Sequence, residues 1–274
     1  MTTVRTAEQA GAGPGGASED VVLVLRNAVA VLDGATSLRP TEHTGGWYAT
    51  ELAAKLRPRL ETGGAELAES LATAISETAT AHGLRPGSAP SSTVSILRWN
   101  ESSVDALVLA DSPAVVFTDS GAEVVSDDRL AELSVPNGGG YRQRLRAGGG
   151  FDELHGQNLR EAVDETSRWR NVEGGFWVAE ADPLAAYRAV VRSWPRSRVE
   201  SALLASDGVS GGVEQYESYP DWPALLNHAH EQGPQAVLDR VRAAEESDPD
   251  GSRWPRPKKH DDQALVVVDF DRDE

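Results

Sequence analysis

Apolar residues follow two rhythms along the chain. Residues 21–25 and 28–32 are short runs rich in β-branched side chains, separated only by Arg26-Asn27. A two-residue connection between such runs predicts a hairpin. Further on, Tyr48, Leu52, Leu56 and Leu60 recur at steps of four, and Leu67, Leu71, Ala74, Ile75 and Thr78 form a second stripe. One apolar face per segment predicts two helices, with Pro58 placed to end or bend the first. Strand-like runs return at 93–99, 104–110, 114–118 and 123–125, then at 176–179, 187–191 and 202–205. Helical periodicity covers about 222–246, broken near Gly233-Pro234, and a last strand is expected at 264–270.

Strands and helices thus come in blocks, without the β-α-β-α alternation that a parallel sheet needs, and this favours an α+β fold with antiparallel sheets and helices outside. A short strand at 2–6 and a Gly/Ala/Pro segment at 10–17 form an N-terminal piece, 1–18, ahead of one domain over 19–274. Residues 130–175 differ from their surroundings. They hold the runs Gly138-Gly139-Gly140 and Gly148-Gly149-Gly150 with arginine-rich helical segments, and read as an insertion or mobile subdomain. Gly11 to Gly16 formally match G-x-G-x-x-G, but a strand follows and no βαβ unit surrounds them, so a nucleotide site is rejected.

Composition narrows the function. The 274 residues carry 26 basic and 43 acidic side chains, a net charge of 26 − 43 = −17. So acidic a surface repels phosphate backbones, and the longest basic cluster is Lys258-Lys259, so no nucleic-acid partner is expected. No apolar run approaches the ~20 residues of a membrane span, and residues 1–13 lack a signal-peptide core, so a cytoplasmic protein with no membrane partner is expected. There is no cysteine, which removes disulfides, zinc-thiolate sites and thiol nucleophiles.

The chemistry-bearing residues are acids at strand ends. Asp33 closes one run and precedes Gly34; Asp111 closes another; Asp207 follows a third and precedes Gly208. Glu19-Asp20 and Asp261-Asp262 stand immediately before strands. Each alone is an ordinary turn residue. Gathered at one edge of packed sheets they would repel one another, and divalent cations would relieve that repulsion. An oxygen-only set suits Mg²⁺ or Mn²⁺ rather than zinc.

The order Glu19-Asp20, Val31-Leu32-Asp33-Gly34, Ser91-Ser92-Thr93, Ala110-Asp111-Ser112, Ser206-Asp207-Gly208 and Asp261-Asp262 resembles the metal-dependent serine/threonine protein phosphatases of the PPM, or type 2C, family, bacterial members included. The resemblance runs from about residue 19 to 270. It implies two antiparallel sheets packed face to face, helix pairs outside, and a flap at 130–175. It also implies two divalent cations, Mn²⁺ or Mg²⁺, that activate a water as nucleophile, so that no side chain attacks phosphorus. By the same resemblance Asp33 bridges the ions, Gly34 offers its carbonyl, Asp207 and Asp261 complete one site, and Glu19 and Asp20 act through waters. Asp111 is placed to help hold a third, weaker ion. Thr93 is expected in a strand near the centre, with a structural role.

Three departures stand out. The family's arginine shortly before Glu-Asp is missing from 14–18, leaving Arg5, Arg168 and Arg170 as candidates for binding phosphate. Ala35 replaces a histidine frequent in eukaryotic members, and Ala110 replaces the glycine of Gly-Asp-Ser. The function expected is hydrolysis of phosphoserine or phosphothreonine in a phosphorylated protein partner. A partner-binding regulator on the same fold, without activity, and a phosphatase of small esters are the alternatives.

Overall fold

The computed structural model describes residues 2–11, 16–38, 41–133 and 140–271. Residues 12–15 of the Gly/Ala/Pro segment and Gly138-Gly139 lie outside them. The chain forms ten strands, β1 (Thr2–Gln9), β2 (Asp20–Val24), β3 (Ala28–Asp33), β4 (Val94–Trp99), β5 (Ser103–Leu109), β6 (Ala114–Thr118), β7 (Gly121–Val125), β8 (Val190–Pro195), β9 (Val199–Ala205) and β10 (Gln263–Phe270). They make two antiparallel five-stranded sheets, ordered β1-β10-β9-β6-β7 and β2-β3-β4-β5-β8.

Period-two alternation explains how the sheets stack. On β3, Val29 and Val31 face the opposite sheet and meet Val104, Leu204, Val266 and Val268 in a shared interior layer. Ala28, Ala30 and Leu32 face the other way and pack under α1 (Gly45–Thr62) and α2 (Leu67–His82). On β10, Leu265 and Val267 likewise turn outward, beneath α6 (Asp207–Glu214), α7 (Trp222–Gln232) and α8 (Pro234–Ser247). The central strands are buried on both faces, which is why they read as continuous apolar runs.

Three expectations need correction. Pro58 neither ends nor breaks α1, which continues to Thr62, because buried Leu52, Leu56 and Leu60 anchor the helix on both sides of it. Residues 176–179 are no strand; they contribute isolated bridges, Ala179 to Ser92 and Phe176 to Arg170. Residues 183–188 form a 3₁₀ turn, so the strand expected from 187 begins at Val190 instead. Residues following Ser206 also form α6, a helix that the Asp-Gly pair disguised as a turn.

Between β7 and β8 lie α3 (Arg129–Glu132), α4 (Gly140–Arg146) and α5 (Glu153–Ser167). Tyr141, Leu145, Leu159 and Ala162 give α4 and α5 a small core of their own, apart from the sandwich. Among the described residues no helix is long and apolar enough to cross a membrane.

Candidate metal centre

The register of the β2–β3 hairpin sets Asp20 directly opposite Asp33. Beyond that pair, the Gly34 amide donates to the Glu19 carbonyl at 3.1 Å. The Thr93 amide donates to the Asp33 carbonyl at 2.9 Å, and the Asp33 amide donates to Thr93 Oγ1 at 3.2 Å. Thr93 Oγ1 in turn meets Ser112 Oγ at 2.6 Å, which ties the turn carrying Asp111 to the same strand end. Thr93, expected inside a strand, stands just before β4 and ties these strand ends together.

The second sheet delivers its acids to this edge through Ser206. Its amide donates to the Ala264 carbonyl at 3.0 Å and its hydroxyl accepts from the Ala264 amide at 2.9 Å. Asp207 therefore opens α6 beside the start of β10, where Asp261 and Asp262 stand. Asp262 joins the sheets: its carboxylate accepts the Gly11 amide at 2.6 Å and the Glu19 amide at 3.0 Å.

Two glycines allow these approaches. A Cβ on Gly34 would lie 2.4 Å from the Gly45 carbonyl carbon at the start of α1, and one on Gly208 would lie 1.9 Å from the Asp262 carbonyl oxygen. By contrast, Ala110 adopts φ 68° where the family's pattern has glycine, a conformation that costs an alanine about 1 kcal/mol.

Electrostatics records the convergence. Burial, then the charges of Asp20, Asp207, Asp261 and Asp111, push the Asp33 carboxyl well above the usual range. Burial of its carboxyl, then the Asp261 and Asp111 charges, do the same to Asp207, although the residue as a whole is exposed. Asp20 is 5% exposed, neither of its oxygens has a hydrogen-bonding partner, and burial with Asp261 and Asp262 pushes it up to about 7, a nearby Ser206 hydroxyl offsetting part. Asp111 is raised by burial and by Asp127 and Asp261.

A buried carboxylate with both oxygens unsatisfied is costly unless something positive completes it. The donors here are all oxygen and come from five chain segments, which fits a hard divalent cation. As they stand, no three or more His, Asp or Glu side chains among the described residues are arranged to hold a metal ion. Lys258 Nζ lies 2.5 Å from Asp261 Oδ1, a contact that sequence reasoning missed and that no local pattern marks, since the segment is not helical.

The arginines separate. Arg5 sits on β1 opposite Val267, ion-paired to Asp269 at 2.8 Å, four residues along the strands from the Gln9–Gln263 pair that borders the acids. It is not brought to the cluster. Arg168 is exposed at the end of α5. Arg170 lies nearer, 3.5 Å from Ser91 Oγ, but pairs at 2.9 Å with Glu180, which is 1% exposed and also accepts the Gly87 amide. Arg170 and Ser91 line a cleft of about 490 Å³ that begins at Ala35, beside Gly34, and includes Thr36, Arg85 and Arg160.

No protein-family model matches the chain, and no curated protein matches its sequence. Solved structures do. The Mycobacterium tuberculosis serine/threonine phosphatase PstP/Ppp is 14% identical, with 98% of this chain and 99% of that chain covered at a TM-score of 0.58. MsPP, a PPM Ser-Thr phosphatase from Mycobacterium smegmatis solved with cacodylate, is 16% identical over 98% of each chain, TM-score 0.57. Stp1 from Staphylococcus aureus is 16% identical, covers 99% and 96%, and gives 0.58. The PstP catalytic domain has also been solved with two manganese ions. With end-to-end coverage, two sheets in the same layers and acids gathered at one sheet edge, this chain has the fold of the PPM-type serine/threonine phosphatases.

Proposed function

We propose that the chain hydrolyses phosphate monoesters at the Asp33 edge of the sandwich, with phosphoserine and phosphothreonine in proteins as substrates. The observation that carries this reading is the convergence of Asp20, Asp33, Asp207 and Asp261, from both sheets, on one edge, with Asp20 buried and only weakly compensated. Two divalent cations, Mn²⁺ or Mg²⁺, would supply Lewis acidity toward water and toward the phosphoryl oxygens. Asp33, the Gly34 carbonyl, Asp207 and Asp261 would hold the ions directly, with Asp33 shared between them; Glu19 and Asp20 would contribute through water, and Asp111 would help to hold a third, weaker ion.

The remaining work falls to the chain's own groups. Thr93 and Ser112 fix the strand ends, so the acids do not drift apart when charged. The cleft that begins at Ala35, one residue from Gly34, has room for an extended polypeptide, which supports a protein substrate over a small ester. Arg170 and Arg168 are the candidates to bind phosphate, and Arg170 must first loosen its pairing with Glu180.

Purified protein is expected to hydrolyse an aryl phosphate and a phosphothreonine peptide with Mn²⁺, and to stop with EDTA. Asp33→Asn and Asp207→Asn should each lower turnover by roughly a thousandfold or more with the circular-dichroism spectrum unchanged. A second reading, a partner-binding protein without hydrolysis, is favoured by the engaged Arg170 and by the lack of an arginine at 14–18, shortly before Glu19. Wild-type protein that binds Mn²⁺ weakly or not at all and turns over neither substrate would establish that reading instead.

A further inference from the structure

Lys258 acts on four acids of the cluster. Its ammonium pairs with Asp261 at 2.5 Å, and its charge acts on Asp20, Asp33 and Asp207 as well. Burial alone would depress its pKa, but Asp261, Asp207 and Asp33 outweigh that and hold it above the usual lysine range.

The backbone on both sides of this side chain is pinned. The Pro257 carbonyl meets His155 Nε2 at 2.8 Å, and the Lys259 carbonyl accepts Arg256 Nε at 3.0 Å. Asp261 is pinned too, its carbonyl accepting Arg242 Nη2 at 2.6 Å. Its Oδ1 already accepts both the Lys258 ammonium and the Asp262 amide, the latter at 2.9 Å. Freedom is therefore left mainly in the lysine's own four-carbon stem, which is about one-third exposed and has solvent to swing into.

We infer that Lys258 is a resident counter-ion of the carboxylate cluster, holding Asp261 in the metal-free chain and giving it up when a divalent cation binds there. The inference rests on the metal reading above. It adds that this chain carries a built-in competitor, so occupancy responds to the free concentration of divalent ion, with the ammonium as the exchanged partner. A like charge beside an incoming dication disfavours it, while four uncompensated carboxylates without the ammonium disfavour the empty fold.

The test compares wild type, Lys258→Gln, Lys258→Arg and, as control, Lys259→Gln, by thermal melting in EDTA and by calorimetric titration with Mn²⁺. Lys258→Gln is expected to melt at least about 3 °C lower in EDTA and to bind Mn²⁺ about tenfold more tightly or better. Lys258→Arg should keep the EDTA melting point, and Lys259→Gln should match wild type in both measurements. An unchanged EDTA melting point for Lys258→Gln overturns the inference. So does unchanged or weaker Mn²⁺ affinity in a protein that still binds the ion, with the metal reading left standing. Absence of Mn²⁺ binding in every variant overturns the metal reading itself and the exchange with it.

Discussion

Two acidic regions, one at the end of α8 and one where the start of β10 meets the β2–β3 hairpin, are built on opposite plans. Asp248 is 4% exposed, but the Trp254 and Arg253 amides and the Arg256 guanidinium, at 2.9 Å, all reach its carboxylate. Burial works against its charge, and those partners outweigh burial and hold its pKa below the usual range. Arg256 is itself satisfied, donating to the Glu245 and Asp248 carbonyls. Asp20 is as deeply placed, has no hydrogen-bonding partner, and is surrounded by other acids. The first plan is architecture, a charge buried with everything it needs. The second leaves the compensation to come from outside, or from one lysine. Depth alone separates the two poorly; completeness of partners does so cleanly.

Removing a charge should therefore act in opposite directions at the two places. Arg256→Ala strands Asp248 and is expected to cost about 3–5 kcal/mol in urea unfolding. Asp33→Asn, measured in EDTA, removes one of several mutually repelling carboxylates. It is expected to leave the metal-free fold as stable as before or more so by about 1 kcal/mol, while ending hydrolysis. A destabilised Asp33→Asn in EDTA would mean that its carboxylate has a structural partner, and the contrast would fall.

Acidity offers a gentler break. The Asp20 carboxyl, pushed up to about 7, and the Asp33 carboxyl, also raised, bind protons more readily folded than unfolded. Stability in EDTA should therefore fall as pH rises from about 4 through 7, and Mn²⁺ should flatten that fall. The Asp248 contribution has the other sign: present at neutral pH and lost only as pH drops through a depressed pKa. Urea midpoints across that range, with and without Mn²⁺ and with Arg256→Ala, separate the two.

Smaller effects sharpen the picture. Arg170→Ala is expected to raise KM about three- to tenfold on a phosphopeptide with kcat little changed, while Arg5→Ala leaves KM alone. Equal effects of the two would remove Arg170 from the cleft's function. Ala110→Gly relieves the positive φ before Asp111 and should add up to about 1 kcal/mol in thermal unfolding, offset in part by glycine's looser unfolded chain.

Much of this architecture was legible because central strands declare themselves: β3, β4, β9 and β10 are apolar on both faces and short. The stripes of α1 and α2 were as plain. What failed were segments whose conformation is decided elsewhere. Residues 176–179 look like a strand, yet beside Ser91 and Ser92 only single bridges form. Pro58 looks like a stop, yet the leucines around it outvote it. For the candidate site, the acids were visible as strand-end residues, and the register confirms that Asp20 and Asp33 sit side by side. Their counter-charges were not visible. Nothing local marks Lys258 as turned inward, or Arg170 as pledged to Glu180 ten residues on, because side-chain pairing across loops leaves no period in a sequence.

The Asp20–Asp33 facing pair has one more consequence. It sits at the open end of a hairpin whose other end is closed by the Arg26-Asn27 turn. Like charges set across neighbouring strands push those strands apart, so this ladder unzips first from the end that bears the acids. Deuterium uptake at the amides of Asp33 and Gly34 then becomes a gauge of whatever neutralises that edge, quick when it is bare and slow when it is filled.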